Sequence, residues 1–221
     1  MHGTEQIGQY PRTVFSLAWS SKAKVASKRA IDIIVSSAAL LLLSPVYLVL
    51  AIAVKRSSPG PVFYRWEVAG KDGTPFVGYK FRSMVADADQ LKDKLERFNE
   101  MKGPVFKIKD DPRVTALGRL MRRYSLDELP QLYSVLIGDM SLVGPRPPLV
   151  SEYARFNEYQ KQKLAVKPGI TCLWQVNGRN NVKDLDDWVK LDLEYIRLWN
   201  PMLDVKILLK TAGAVLSGSG K

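Results

Sequence analysis

Asp127 and Glu128 stand side by side in "SLDELPQL" (residues 125–132), inside a chain whose formal net charge is +11. Arg113, Arg119, Arg122 and Arg123 precede the pair, and Arg146 follows it between Pro145 and Pro147. Guanidinium groups grip phosphate oxygens in bidentate fashion, and the flanking prolines restrict how Arg146 is presented. Two readings fit these residue types. In the first, the acids open a helix: Ser125 with Glu128 three residues later is a capping-box pattern, and acids in a first turn complement the helix dipole. In the second, the neighbouring cations keep both carboxylates ionised for phosphoryl chemistry on a small molecule. One carboxylate then holds Mg²⁺ bridging phosphate oxygens while the other attacks phosphorus. Adjacent helical positions point about 100° apart, so the two acids need not compete for one role. Residue chemistry leaves both readings open.

Other chemistries are excluded by what the chain lacks. Its single histidine is His2, at the very start, so Ser-His triads, His-ligated zinc and histidine general bases have no basis. Its single cysteine, Cys172, excludes an internal disulfide and fits a reducing compartment. The positive charge calls for an anionic partner: a nucleic acid, a phosphorylated small molecule or an acidic membrane face. Arginines built around two carboxylates suit a nucleic-acid backbone poorly, because the acids repel it, and no platform of aromatic and basic residues offers single-strand stacking. A length of 221 residues suits one domain with an appendage and allows a sizeable core.

The elements that must carry these residues begin with the uncharged run Ile33–Val54, "IIVSSAALLLLSPVYLVLAIAV". As one helix it measures roughly 33 Å, enough for a bilayer core of about 30 Å. It is too long, and starts too far along the chain, for a signal peptide. Pro45 behind Ser44 removes the bond to the Leu41 carbonyl and bends the helix, and the Ser44 hydroxyl is the available replacement donor. Lys22, Lys24, Lys28 and Arg29 precede the run, and Lys55, Arg56 and Arg65 follow it. The positive-inside bias therefore wants both ends on one side, which a broken, re-entrant helix satisfies; a kinked span is the alternative. Asp32 lies within reach of Lys28 and Arg29, pointing to an interfacial pair rather than a buried charge.

Downstream, "SSPGP" (57–61) is a loop, and "VFYRWEVAGKDGTPFVGYKFRSM" alternates in the manner of a β-hairpin around "KDG", carrying Lys80 and Arg82. The charged segment Asp87–Lys102 predicts a solvated helix. A turn at Asp111-Pro112, a basic helix, a break at Tyr124-Ser125 and a helix with Pro130 near its start follow. "MSLVGPRPPLV" reads as a rigid loop presenting Arg146, and "KPGITCLWQVNGRNN" as a strand between turns. The C-terminal region predicts one helix with Trp188, Leu191, Tyr195 and Leu198 on a shared face. A second apolar helix, Met202–Leu216, is interrupted by Asp204, Lys206 and Lys210 and so suits core or interfacial packing rather than a span. There is no internal repeat.

Taken in order, "KRAID" before a Ser-Pro-broken apolar run, "YKFRSM", "DDPRVTALGRLMRRYSLDELPQL", "GDMSLVGPRP" and "KPGITCLWQVNGRN" resemble the bacterial sugar transferase family, the monotopic polyprenyl-phosphate phosphoglycosyl transferases, from about Lys28 to Leu216. The resemblance implies a helix-dominated α+β fold: an N-terminal extension (1–27), a re-entrant membrane helix hairpin (28–58) and a catalytic domain (59–221) with interfacial amphipathic helices and a small β-hairpin. It implies the bacterial inner membrane, with the catalytic domain on the cytoplasmic face, and the chain's length resembles the family's small form. The implied activity moves a sugar-1-phosphate from a UDP-sugar to polyprenyl phosphate and releases UMP. Mg²⁺ is the implied cofactor, downstream glycosyltransferases are implied partners, and nucleic acid is not. Asp127 matches the nucleophile and Glu128 the acid beside it, the two together being the implied metal ligands. Arg113 and Arg122 are the implied phosphate-holding residues, Pro145-Arg146-Pro147 matches the nucleotide contact, and Arg119, Lys80 and Arg82 complete the implied substrate-binding set. Ser44-Pro45 matches the helix break, and Lys28, Arg29 and Asp32 match the interfacial anchor. Cys172 departs from the pattern, which commonly has Gly there; the change bears on packing or sugar selection and leaves the acid pair untouched. Two rivals stay open: direct attack by the lipid phosphate with no covalent intermediate, and a membrane-tethered binding protein that catalyses nothing.

Overall fold

A computed structural model describes residues 21–176 and 184–218. His2, most of the 1–27 extension and the end of the "KPGITCLWQVNGRN" motif lie outside the described residues. The first helix, α1 (Lys22–Leu42), starts where the Ser21 hydroxyl caps the Lys24 N–H. It gives way to α2 (Ser44–Ser57) through a bend of 61°. The cause is the predicted one: Pro45 has no N–H to offer the Leu41 carbonyl, which instead accepts from a backbone N–H at the helix cap and from the Ser44 hydroxyl at 2.8 Å. No single helix among the described residues is long and apolar enough to cross a membrane, whereas this bent pair has the length and composition to enter one. Leu41 and Leu42, beside the bend, are 75% and 76% exposed.

The predicted hairpin follows, β1 (Phe63–Ala69) and β2 (Pro75–Phe81) pairing antiparallel, with Tyr64 opposite Lys80 and Trp66 opposite Gly78. The charged segment forms a shorter helix than expected, α3 (Ala88–Leu95), ending in a 3₁₀ turn at Glu96–Phe98 before Met101 enters the core. The basic helix α4 (Ala116–Arg123) is capped by the Thr115 hydroxyl, which accepts from the Gly118 N–H at 2.9 Å. Gly118 has to be glycine, since a Cβ there would lie 1.9 Å from the Ser83 carbonyl oxygen. That close approach sets α4 against the end of the hairpin.

Next come α5 (Gln131–Ile137), β3 (Ser141–Val143), the short helices α6 (Val150–Tyr153) and α7 (Glu158–Lys161), β4 (Gly169–Thr171) and α8 (Leu173–Val176). The strand expected in "KPGITC" is three residues long and pairs in parallel with β3, part of the segment read as a loop. In α9 (Leu185–Leu198), Trp188 and Tyr195 are buried, but Leu198, at the last position, is 50% exposed. In α10 (Pro201–Leu216), Ile207 alone is buried, and Met202, Val205, Leu209 and Leu216 face outward.

Two apolar clusters hold these elements. The larger joins α5, β3, α8, α9 and α10 through Val135, Leu142, Val143, Trp174, Val189, Tyr195, Ile196 and Ile207, and it includes Cys172. The smaller packs Leu50 and Val54 of α2 against Phe81 of β2 and Met121 of α4. The second arm of the bent pair is thereby joined to the two elements that carry Lys80 and Arg122.

Candidate active site

Ser125 adopts a left-handed conformation (φ 53°), its side chain makes no capping hydrogen bond, and Leu126–Glu128 form a 3₁₀ turn separate from α5. The capping reading is therefore overturned. A capping serine needs an extended backbone to turn its hydroxyl onto the third residue's N–H, and the left-handed turn prevents it. The same turn drives Asp127 inward, leaving its side chain and backbone only 6% exposed.

The acid pair lies on a cavity of about 1130 Å³, with Lys80 on one side and Arg122 and Arg146 on others. Burial, and then the like charge of Glu128, push the Asp127 carboxyl above the ordinary range, against the pull of Lys80 and Arg122. This corrects the expectation that surrounding cations dominate: desolvation of a nearly enclosed carboxylate outweighs them. Burial likewise pushes the Lys80 ammonium down, with Asp127 opposing the shift. Arg122 is desolvated too, and its Nε donates to the Ser83 hydroxyl at 3.0 Å. Arg146 Nη1 stands 3.6 Å from Glu128 Oε1. Asp127, Lys80 and Arg122 are thus desolvated charges, while the Arg146 guanidinium stays partly exposed.

Other expected ligands have different work. Arg113 is buried and paired with Asp111 at 2.6 Å, with a further bond to the Ala88 carbonyl, so it fastens a loop instead of presenting a free guanidinium. Burial works against the Asp111 charge, yet the Arg113 bonds hold its carboxyl below the ordinary range. Arg82 is 5% exposed and donates to the Val54, Ser58 and Pro59 carbonyls, closing the C-terminus of α2. Both line the cavity with the acid pair, but with guanidinium groups already engaged by carbonyls and a carboxylate that the sequence does not show. Arg119 is exposed at the cavity rim, with Nη1 donating to the Val114 carbonyl at 3.1 Å. Pro145 is buried, and Pro147 lines the cavity beside Arg146.

The anchor residues are also reassigned. Asp32 does not pair with Lys28 or Arg29: it is 4% exposed and accepts from the Ser141 hydroxyl at 3.0 Å and the Leu142 N–H at 2.9 Å. Arg29 donates to the Val135 and Leu136 carbonyls at the C-terminal end of α5. Lys28 pairs with Asp204 of α10 at 2.6 Å and donates to the Val143 carbonyl. All three bind α1 to its own domain.

Several cavity residues escaped the sequence reading. Tyr64 and Trp66 line the cavity from β1, and their alternation on the strand paired with Lys80 is the sequence signal for them. Trp174 and Trp188 stack with centroids 4.5 Å apart, from separate helices that no local pattern joins. Lys163 and Asp192 form a buried pair at 2.7 Å.

Among the described residues no group of three or more His, Cys, Asp or Glu side chains is placed to hold a metal. Asp127 and Glu128 still fit Mg²⁺, a hard ion usually held by one or two carboxylates together with substrate phosphates.

The family model described as "Bacterial sugar transferase" matches residues 23–218. The galactosyl transferase CpsE of Streptococcus agalactiae serotype III (strain NEM316) is 44% identical over 96% of this chain and 47% of its own length. The undecaprenyl-phosphate galactose phosphotransferase of Salmonella typhimurium (strain LT2) is 44% identical over 87% of this chain and 41% of its own length. The exopolysaccharide production protein ExoY of Rhizobium meliloti (strain 1021) is 38% identical over 88% of this chain and 87% of its own length. The chain thus spans less than half the length of the first two relatives and most of the third.

Proposed function

The chain belongs to the bacterial sugar transferase family, and we propose that it transfers a sugar-1-phosphate from a UDP-sugar to polyprenyl phosphate with release of UMP, at the cytoplasmic face of a bacterial inner membrane. The observation that carries the chemistry is Asp127: a buried carboxylate, pushed up by desolvation, facing a cavity between Lys80, Arg122 and the Arg146–Glu128 pair. A desolvated carboxylate is a stronger nucleophile than a hydrated one, and cations around a phosphate favour its attack. An Asp127 oxygen attacks the phosphorus attached to the sugar, the bond from that phosphorus to the bridging oxygen breaks, and UMP leaves with that oxygen. A phosphate oxygen of the lipid then attacks the same phosphorus and expels the Asp127 carboxylate. Lys80 and Arg122 hold the phosphates, and Arg146 contacts the nucleotide. Mg²⁺, when held by Asp127 and Glu128, neutralises charge on the phosphate oxygens.

The bent helix pair supports the membrane half of the reading. The α1 arm is tied to α5, β3 and α10, and the α2 arm is packed on β2 and α4, so both arms end on one domain. A pair docked in this way enters and leaves by the same face, with Leu41 and Leu42 deepest. On this reading the cavity of the basic domain lies at the depth of a lipid phosphate. The lipid-linked sugar phosphate is the substrate type that downstream glycosyltransferases extend. Relatives named for galactose transfer put UDP-galactose first among donors to assay.

The test is intact-protein mass spectrometry with UMP release, in Mg²⁺ and without lipid acceptor. A sugar-phosphate adduct on the wild type that is absent from Asp127→Asn is expected. Turnover that strictly requires both substrates, with no adduct, points instead to direct attack by the lipid phosphate. An absence of UMP with every UDP-sugar tried, lipid present, sinks the enzyme reading.

A further inference from the structure

Lys80 is the cation whose charge weighs most on Asp127, and its own position is set from behind. Its Nζ lies 4.8 Å from the Trp66 ring centroid and 5.4 Å from that of Tyr64. The two rings lie nearly parallel, 17° apart with centroids 6.0 Å from each other, and both line the cavity. The ledge is itself held at both ends. Tyr64 Oη donates to Asp89 of α3 at 3.1 Å, and burial and Asp89 push the phenol up to about 12, so it stays a donor. Trp66 lies over Gly78, where an added Cβ would meet the indole at 3.0 Å. The missing side chain at Gly78 is what lets the indole lie flat beneath Lys80.

We propose that the Tyr64–Trp66 ledge is a positioning element for the reaction, holding the Lys80 ammonium toward Asp127 so that it meets the phosphate in place. The inference rests on the phosphoryl-transfer reading above, and it assigns to β1 a role in the reaction's electrostatics. The charges facing Lys80 are Asp127 and Glu128 from the 3₁₀ turn, Arg122 from α4 and Arg146 from the loop after β3. The two arginines repel the ammonium and the two acids attract it. Without the rings, a flexible four-carbon stem near two guanidinium groups would have many other places to put its charge. A desolvated cation–π contact is strong enough to prevent that.

The test uses the full chain in detergent or nanodiscs with a UDP-sugar, Mg²⁺ and polyprenyl phosphate. Trp66→Leu keeps apolar bulk but removes the π face, and kcat should fall about 5- to 30-fold, with KM for the UDP-sugar within about twofold. Trp66→Phe should recover most of the loss. Gly78→Ala keeps the indole but lifts it, and should reproduce the loss. In a Lys80→Met background Trp66→Leu should have no further effect; an undiminished effect there means that Trp66 meets the substrate itself, and overturns the proposal. A second readout needs no turnover. Acylation of Lys80 by acetic anhydride, followed by peptide mass spectrometry, should speed up several-fold in Trp66→Leu at unchanged melting temperature. An unchanged acylation rate overturns the ledge whatever the kinetics show. If the wild type releases no UMP at all, the phosphoryl-transfer reading fails separately, and acylation still decides whether the ledge holds Lys80.

Discussion

The Asp127 carboxylate is poorly stabilised in its buried setting. Asp127 is pushed up by burial and by Glu128, so its ionisation opposes folding. The sign follows from linkage: a group whose folded pKa lies above its unfolded value contributes stability below the unfolded value, near 3.9 for Asp, and loses it as pH rises through the folded value. Asp127→Asn removes that loss. Its melting temperature should match the wild type's near pH 4 and equal or exceed it at pH 7, while UMP release falls by about 10³-fold or more. A first-turn role, with the charge complementing a helix dipole, predicts the reverse for stability, a cost of about 0.3–1 kcal/mol. Thermal melts of both proteins from pH 4 to 8, beside the UMP assay, separate the two. At Arg146, 3.6 Å from Glu128 and flanked by prolines, Lys keeps the charge but loses the planar fork. Arg146→Lys should raise KM for the UDP-sugar about 10-fold, and an unchanged KM removes this residue from nucleotide recognition.

At the scale of elements, the most informative junction is α1 against β3. Asp32 is a carboxylate 4% exposed, satisfied by the Ser141 hydroxyl and the Leu142 N–H. Truncating it leaves two buried donors without an acceptor. Asp32→Ala should cost about 1–3 kcal/mol in denaturant midpoint experiments, and Asp32→Asn less, because an amide oxygen still accepts. Equal melting of Asp32→Ala and wild type would mean the α1–β3 contact carries no stability. Arg82 is the matching device on the other arm, where its guanidinium closes three carbonyls, one in the last turn of α2 and two just after it. Cations favour helix C-termini, and here the cation comes from the residue just past β2, two positions from Lys80, so the end of the bent helix pair and the candidate site share one short segment.

For the whole molecule, two arms on one domain make a topological statement. Cysteines introduced near Lys24 and near Ser58, in a Cys172-free background, should both resist a membrane-impermeant thiol reagent on intact cells and react after lysis. Labelling of one site alone from outside would establish a span and refute re-entry. The outward apolar residues of α10, Met202, Val205, Leu209 and Leu216, belong to the same picture, because Lys28 ties α10 to α1 through Asp204. Tyr195 and Trp199 also donate to Asp204, so that carboxylate gathers α1, α9 and α10 around one point.

The features set by covalent geometry and local periodicity were legible in the chain alone. Proline without an N–H had to break the apolar run at Ser44-Pro45, and alternation around "KDG" had to make a hairpin. The acid pair and Arg122 were identified from type and spacing, and they do share one cavity. What each charge faces was decided only in three dimensions. Arg82 and Arg113 looked as free as Arg122 and Arg146, yet one closes a helix and the other is bound to Asp111. Asp32 looked like half of an ion pair, yet β3, more than a hundred residues away in sequence, supplies its donors. Ser125 and Glu128 had the letters of a capping box, but a left-handed backbone at Ser125 turned the acids into the protein instead. Local sequence specifies backbone preference and side-chain chemistry; the partner that satisfies a polar group, and the solvent withdrawn from it, come from packing between distant segments, and those two quantities separate a structural charge from a reactive one.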